Sequence, residues 1–446
     1  MGVGIREAQR EVQQERREPR PRPAAREGAE GDGDAAAVDA RVLVVGTGFG
    51  GLGAAIQLAR RGERDFLLLE RAAPVGGTWR DNTYPGCACD VHSHLYAFSF
   101  APNPDWSRTF SPQPEIQRYL EWCAERYGIL PHVRFHHEMR SACWDAPGRR
   151  WIVQTSRGVV TGRVLVLATG PLSEPAIPEI PGLERFAGRA FHSARWDYGH
   201  DLTGRSVAVI GTGASAVQFV PAIQPRVARL TLFQRTPAWV MPRRDRAHTR
   251  LSRRLLRRVP PAQRLLRGAI WALRELMLLP FVHPRLAPAV EAVARRHLRR
   301  AVADPALRAA LTPTFAIGCK RVLVSDDYLP ALARPNVAVV TRPIAEVRAH
   351  GVVTADGVEH PADTIVFGTG FRVTDPPFAP HVRGRDGRSL AEAWAGSPAA
   401  HLGITMPGFP NLFLLLGPNT GLGHTSVVLM LEAQIAHLLG ALDHLR

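Results

Sequence analysis

Residues 1–40 are dominated by Arg, Glu, Ala, Pro and Gly, and large apolar residues first gather at Arg41–Val45. A stretch so poor in apolar groups cannot bury enough surface to offset chain entropy, which predicts a disordered tail over 1–40. After the Arg41–Val45 run come a glycine cluster, helical spacing over Ala54–Arg61, and a second apolar run, Phe66–Leu69, that ends at Glu70. This is the order strand, glycine turn, helix, strand. The same order returns from Ser206: the run 207–210, then Gly211-Thr212-Gly213, a helix through about Ile223, and the run 230–233 ending before Gln234. Between Arg243 and about Leu311 the spacing becomes helical and rich in arginine, interrupted at Pro260, Pro261, Pro280 and Pro284. Strand-like runs resume at 336–340 and 364–367, and the chain closes with a loop, Gly417–His424, and an apolar helix from about Ser426. The pattern predicts an α/β fold with two Rossmann-like dinucleotide-binding units and a helical insertion.

Composition narrows the setting. At 446 residues the chain suits two domains, not one core. No uncharged run approaches the roughly 20 apolar residues that span a bilayer, and the charged start lacks the apolar segment of a secretory signal. The five cysteines, Cys87, Cys89, Cys123, Cys143 and Cys319, are odd in number and suit a reducing compartment, so the cytoplasm is the expected location. The C-x-C pair at 87 and 89 reads as incidental. His92, His94, His132, His136 and His137 have no carboxylates at ligand spacing, and no metal is expected. The net charge of +16 arises from heavy arginine usage and is a weak pointer to any partner; nucleic acid is not an expected one.

Gly46-x-Gly48-x-x-Gly51 lies between a strand and a helix, the context that gives the pattern meaning. Its glycines allow the tight turn, the approach of backbone to a pyrophosphate, and close helix–strand packing at the helix N-terminus. Glu70 stands near the spacing expected for a carboxylate that accepts hydrogen bonds from the adenosine ribose. The second turn is Gly211-x-Gly213-x-x-Ala216, and its strand leads to Gln234-Arg235-Thr236 instead of a carboxylate. A ribose 2′-phosphate is attracted by guanidinium, so Arg235 and Thr236 point to NADPH over NADH.

Two longer stretches carry a resemblance. Gly76-Gly77-Thr78-Trp79 continuing through Tyr84-Pro85-Gly86 to Asp90 resembles the G-G-x-W-x4-Y-P-G-x3-D signature of Baeyer–Villiger monooxygenases. Phe186-x-Gly188-x3-His192-x3-Trp196-Asp197 is similar to the fingerprint of the same family. Ala168-Thr169-Gly170, Cys319-Lys320-Arg321, Gly368-Thr369-Gly370-Phe371 and Gly417-Pro418-Asn419-Thr420-Gly421 extend the likeness over most of the chain. The resemblance implies an FAD domain at 41–180 and 369–446, an NADPH domain at 181–242 and 311–368, and an insertion at 243–310 near the substrate site. It further implies that Thr78, Trp79, Asp90 and Tyr96 line the flavin and that Arg235, Thr236 and Lys320 surround the 2′-phosphate.

The implied reaction uses NADPH, FAD and O2 to insert one oxygen beside the carbonyl of a small ketone or aldehyde, through a C4a-peroxyflavin. That anion needs fixed positive charge in a site closed to water. Arg321 is the candidate, because guanidinium stays charged at any working pH, and Asp90 would hold it in place. Two rival readings remain: a flavin-containing monooxygenase acting on nitrogen or sulfur, and an FAD protein that only oxidises NADPH. His192 reads as a structural histidine at the crossing between domains. The run Leu265–Phe281 has an apolar face flanked by arginines; a face covered by protein or lining the substrate site is favoured over one resting on an anionic membrane. Family members usually continue beyond the last apolar helix into a segment that packs beside the substrate site.

Overall fold

The computed structural model describes residues 38–445, so most of the predicted tail lies outside the described residues. Asp39, which the sequence places in the tail, accepts hydrogen bonds from the backbone and hydroxyl of Thr161. The chain then forms β1 (Ala40–Val45), α1 (Phe49–Arg60), β2 (Phe66–Glu70), α2 (Thr78–Asp81), α3 (Gln113–Arg126) and β3 (Val133–Phe135). An antiparallel meander follows, β4 (Met139–Asp145), β5 (Arg150–Thr155) and β6 (Gly158–Leu167), and then the second unit begins with β7 (Arg189–His192), β8 (Ser206–Ile210), α4 (Ala214–Ile223) and β9 (Arg229–Phe233).

After the short β10 (Val240–Met241) come the insertion helices α5 (Arg250–Arg258), α6 (Pro260–Leu276), α7 (Leu279–Val282), α8 (Ala287–Ala301) and α9 (Pro305–Ala310). The prolines at 260 and 261 start α6 instead of breaking a helix, since the first turn has no use for their missing N–H groups. The chain returns through β11 (Leu323–Val324), α10 (Tyr328–Leu332), β12 (Val337–Val340), the small sheet β13 (Ile344–Arg348), β14 (Gly351–Thr354) and β15 (Glu359–Pro361), and β16 (Thr364–Phe367). It ends with β17 (Val382–Arg383), α11 (Leu390–Trp394), β18 (Leu412–Leu414) and α12 (Val427–His444), which Ser426 caps.

Two sheets carry the architecture. The first has the order β17-β4-β5-β6-β1-β2-β3, with β18 also on β6, and its centre β6-β1-β2 is parallel. The second, β12-β9-β8-β16-β7, is parallel throughout. The buried residues of β1 and β8 read as continuous apolar runs because both faces are covered: α1 and α4 pack on one side, and α11 and the small sheet β13–β15 pack on the other side of β1 and β8 respectively. Helix α12 is long and apolar enough to cross a membrane by length and composition, and it turns Val428, Leu431, Ile435, Leu438 and Leu439 into the core that includes α1.

The chain passes between the sheets twice, and the two crossings run side by side. Ala176 donates its N–H to the Gly370 carbonyl at 2.9 Å, and Arg372 donates to Glu174 at 3.0 Å. A second contact between the units forms where the Tyr84–Cys89 loop docks on α4. Gln218 accepts from the Tyr84 hydroxyl at 3.0 Å and from the Ala88 N–H at 3.2 Å, and donates back to the Ala88 carbonyl at 2.9 Å. A Cβ on Gly86 would lie 2.6 Å from the Gln218 carbonyl, so only glycine permits this approach. Trp196 joins the contact by packing on Phe219 with ring centroids 5.4 Å apart.

Candidate active site

The first glycine turn closes because side chains are missing where backbones meet. A Cβ on Gly51 would stand 1.9 Å from the Gly46 carbonyl, and one on Gly46 would stand 2.6 Å from the Ala168 carbonyl. Gly46 also has φ +102, a left-handed conformation that favours glycine. The Gly76–Gly77 turn lies against it, since a Cβ on Gly77 would come within 3.0 Å of Gly48 Cα. Together they leave a floor of bare backbone at the N-terminus of α1, in a cavity of about 670 Å³. These features fit a pyrophosphate laid across the helix end and a dinucleotide of FAD size in the cavity.

Glu70, 4% exposed, faces this cavity and is held by protein donors. Thr47 donates to Oε2 from its N–H at 3.0 Å and its hydroxyl at 2.6 Å, while Arg80 and the Ala72 N–H donate to Oε1 at 2.7 and 3.1 Å. The sequence expectation gives Glu70 to ribose hydroxyls; the structure gives it these partners and adds Arg80, which sequence reasoning missed. Burial works against the Arg80 charge, but Asp81 and Glu70 more than offset it and hold the guanidinium above its ordinary value.

Thr78, Trp79 and Tyr96 also line the cavity. The Trp79 indole N–H donates to the Tyr96 hydroxyl at 3.1 Å, their rings meet edge to face, and Gln113 donates to the Trp79 carbonyl. Beyond Tyr96 lies Asp90, whose Oδ2 accepts from Arg321 Nη2 at 2.6 Å. The Asp90 carboxylate raises the Arg321 pKa above the ordinary guanidinium value, outweighing desolvation. The pair is only partly buried, with side chains 57% and 28% exposed for Arg321 and Asp90. Two residues that sequence reasoning did not single out join it: Arg243, donating to the Cys89 carbonyl at 3.0 Å, and Arg274 of α6, whose charge acts on Asp90 and Cys89.

The second turn repeats the first with one exchange. A Cβ on Gly211 would meet the Gly368 carbonyl at 2.5 Å, and a Cβ on Gly368 would stand 3.1 Å from that of Ala216. Alanine at 216 and glycine at 368 are thus complementary. Gly213 is exposed, Arg235 is exposed beyond β9, and Thr236 accepts through its carbonyl from the Thr212 hydroxyl at 3.1 Å. Lys320 is exposed with its ammonium 5.0 Å from the Phe315 ring centroid.

His192, 2% exposed, accepts from the Ala194 N–H at 3.1 Å and packs against Phe371 of the crossing. Burial lowers its pKa to about 4. The histidines considered for a metal do not form one group: His132 stacks on Phe66, while His94 lies 5.2 Å from His248. Cys87 and Cys89 are buried free thiols, and burial pushes Cys87 up to about 12, far from a reactive thiolate.

Two parallel dinucleotide folds joined by paired crossings define the class of pyridine-nucleotide-dependent flavoproteins, and residues 43–264 match the family described as pyridine nucleotide-disulphide oxidoreductase. The chain is 57% identical over 407 residues to a Baeyer-Villiger monooxygenase of Streptomyces coelicolor, covering 91% of this chain and 78% of that protein. It is 50% identical to a Baeyer-Villiger monooxygenase of Pseudomonas aeruginosa, covering 92% and 78%. Cyclohexanone monooxygenase from Rhodococcus sp. Phi1 bound to NADP+ superposes with a TM-score of 0.81 at 31% identity, covering 91% and 84% of the two chains. The chain belongs to the Baeyer–Villiger monooxygenases, flavoprotein enzymes that use FAD and NADPH.

Proposed function

We propose that this chain inserts one oxygen atom of O2 beside the carbonyl of a ketone or aldehyde, with Arg321 as the catalytic cation and Asp90 as the group that positions it. The single observation that carries this reading is the 2.6 Å Arg321–Asp90 pair next to the Trp79–Tyr96 wall of the cavity. When bound, FAD reduced by NADPH supplies the redox chemistry with O2. Arg321 places a charge that cannot be lost as a proton beside the oxygen on which negative charge builds, and Asp90 fixes its direction without acting as a base. Trp79 and Tyr96 keep bulk water from that side of the cavity.

The binding roles follow the two turns. Gly46 and Gly48 present bare backbone to the FAD pyrophosphate and Gly51 lets helix and strand pack beneath it; Glu70, held by Thr47 and Arg80, accepts from the adenosine ribose, and Thr78, Trp79, Asp90 and Tyr96 line the flavin. Gly211, Gly213 and Ala216 take NADPH, whose 2′-phosphate is met by Arg235, Thr236 and Lys320. On this reading residues 41–180 and 369–446 form the FAD domain, 181–242 and 311–368 the NADPH domain, and 243–310 a helical insertion. The five free cysteines suit a reducing cytoplasm. The test is to supply the FAD-loaded enzyme with NADPH and a panel of small ketones, measuring ester and hydrogen peroxide together. Ester formed in step with NADPH consumed is the expected result; peroxide alone, or oxygenation confined to amines and sulfides, would overturn the reading.

A further inference from the structure

Helix α6 is amphipathic in the reverse sense. Leu265, Trp271, Leu273 and Leu276 face outward and are 47–74% exposed. Gln263, Arg267, Ile270 and Arg274 form the inward stripe at intervals of four, three and four residues. Of the two expected roles for this apolar face, covered by protein or lining the substrate site, the first is not what the structure shows, since an ordinary amphipathic helix would turn these leucines in. Polar partners inside must compensate for burying the arginines. Arg267 has them: its Nη1 donates to the carbonyls of His94 at 3.0 Å and Ala97 at 2.8 Å, and its Nη2 lies 3.8 Å from Glu432.

Arg274 stands two helical turns further along the same stripe and comes alongside Cys89, Asp90 and His92, on which its charge acts. Among the described residues it makes no hydrogen bond or ion pair. Arg243 approaches Cys89 from the other side, lies 5.1 Å from the Phe110 ring centroid, and keeps its Nε buried without a partner. The guanidinium groups of Arg321 and Arg274 thus act on the Asp90 carboxylate, and that of Arg243 is held on the carbonyl of its neighbour Cys89. Of the nearby acids, Asp245 pairs with Arg108 at 2.7 Å and Glu275 bonds His424, while Asp326 accepts from the backbone N–H groups of Arg243 and Arg244 and offsets part of the positive charge there.

We infer that Arg274 and Arg243 form an anion subsite beside the Arg321–Asp90 pair, and that the substrate is a ketone or aldehyde that also carries a carboxylate. This rests on the function proposed above, since the pair marks where the carbonyl reacts. Guanidinium N–H groups converging in a partly desolvated setting suit a carboxylate, which accepts charge-assisted bonds on both oxygens. Arg274 becomes a specificity-determining residue, separate from the cation that serves the reacting oxygen.

The test is a binding titration of the FAD-loaded enzyme with 4-oxocyclohexanecarboxylate and with its methyl ester, read as the flavin absorbance difference at low ionic strength. The acid should bind at least about tenfold tighter than the ester, and Arg274→Gln should bring the ratio near one. Arg274→Lys should recover most of it, and added salt should erase the preference in the unmodified enzyme. Equal affinity for acid and ester in the unmodified enzyme would overturn the proposal. So would an equal weakening of both by Arg274→Gln, or a loss of NADPH affinity in place of acid affinity. Lactone formation is followed separately: the ketone panel decides the proposed function, while the affinity ratio decides the subsite.

Discussion

The two glycine turns share a sequence pattern and differ in what surrounds them. The first is deep: Gly46–Gly51 floors a cavity of about 670 Å³ walled by the Gly76–Gly77 turn and the Trp79–Tyr96 pair, and the carboxylate at the end of the next strand is buried and hydrogen-bonded. The second is open: Gly213 and Arg235 are exposed, and among the described residues Arg235 makes no ion pair. A ligand in the first must be caged by protein on several sides, as suits a cofactor that stays through many turnovers. A ligand on the second rests on an accessible surface, as suits one that arrives reduced and departs oxidised. One supersecondary unit thus serves a resident and a visiting dinucleotide, and the difference lies in the covering elements instead of the turn.

The largest effect that could break this comparison is at Gly51. Gly51→Val forces a side chain into the Gly46 carbonyl, which is backbone and cannot step aside; it should cost at least about 3 kcal/mol and leave the protein without flavin. Flavin content and a thermal melt check this, and retention of FAD would contradict the caged reading of the first turn. Next comes the joint between the units. His192 has a pKa near 4 in the fold, below the ~6.5 of an unfolded histidine, so the unfolded state binds more protons between these values. Its contribution is therefore complete above about pH 6.5 and is lost as pH falls towards 4, by about 2 kcal/mol at pH 5. Unfolding midpoints measured from pH 7 to pH 5 should drop, and His192→Asn should flatten part of the slope.

A smaller effect sharpens the contrast between resident and visitor. Arg235→Ala should raise KM for NADPH about tenfold, leave FAD content unchanged and narrow the preference over NADH; steady-state kinetics with both nucleotides reads it. The smallest effect tests the exchange of alanine and glycine. Gly368→Ala crowds Ala216 at 3.1 Å and should cost about 1 kcal/mol, and adding Ala216→Gly should recover most of it. Denaturant unfolding of the single and double variants measures the coupling.

The turns were legible in the sequence because their signals are local. Gly46, Gly48 and Gly51, Gly211 and Gly213, the strand ends at Glu70 and Phe233, and the start of the last helix near Ser426 follow from spacing and backbone sterics alone. Asp90 and Arg321, 231 residues apart, could be paired only through family resemblance. The partners of Glu70 were hidden because Arg80 joins it by tertiary packing, and nothing in its neighbours marks it among so many arginines. Gln218 was hidden for the same reason: its role depends on a loop 130 residues earlier in the chain reaching α4. The orientation of α6 ran against its periodicity, which registers that a helix has two faces but not which one the fold turns inward. The antiparallel strands β4–β6 lacked the clean alternation that would have announced them.

The account depends most on the cation at position 321. In Arg321→Ala, assayed with FAD bound, NADPH, O2 and a ketone that the unmodified enzyme oxygenates, flavin reduction should persist. Ester should fall by more than about a hundredfold, with the electrons recovered as hydrogen peroxide. Ester formed at the unmodified rate would contradict it.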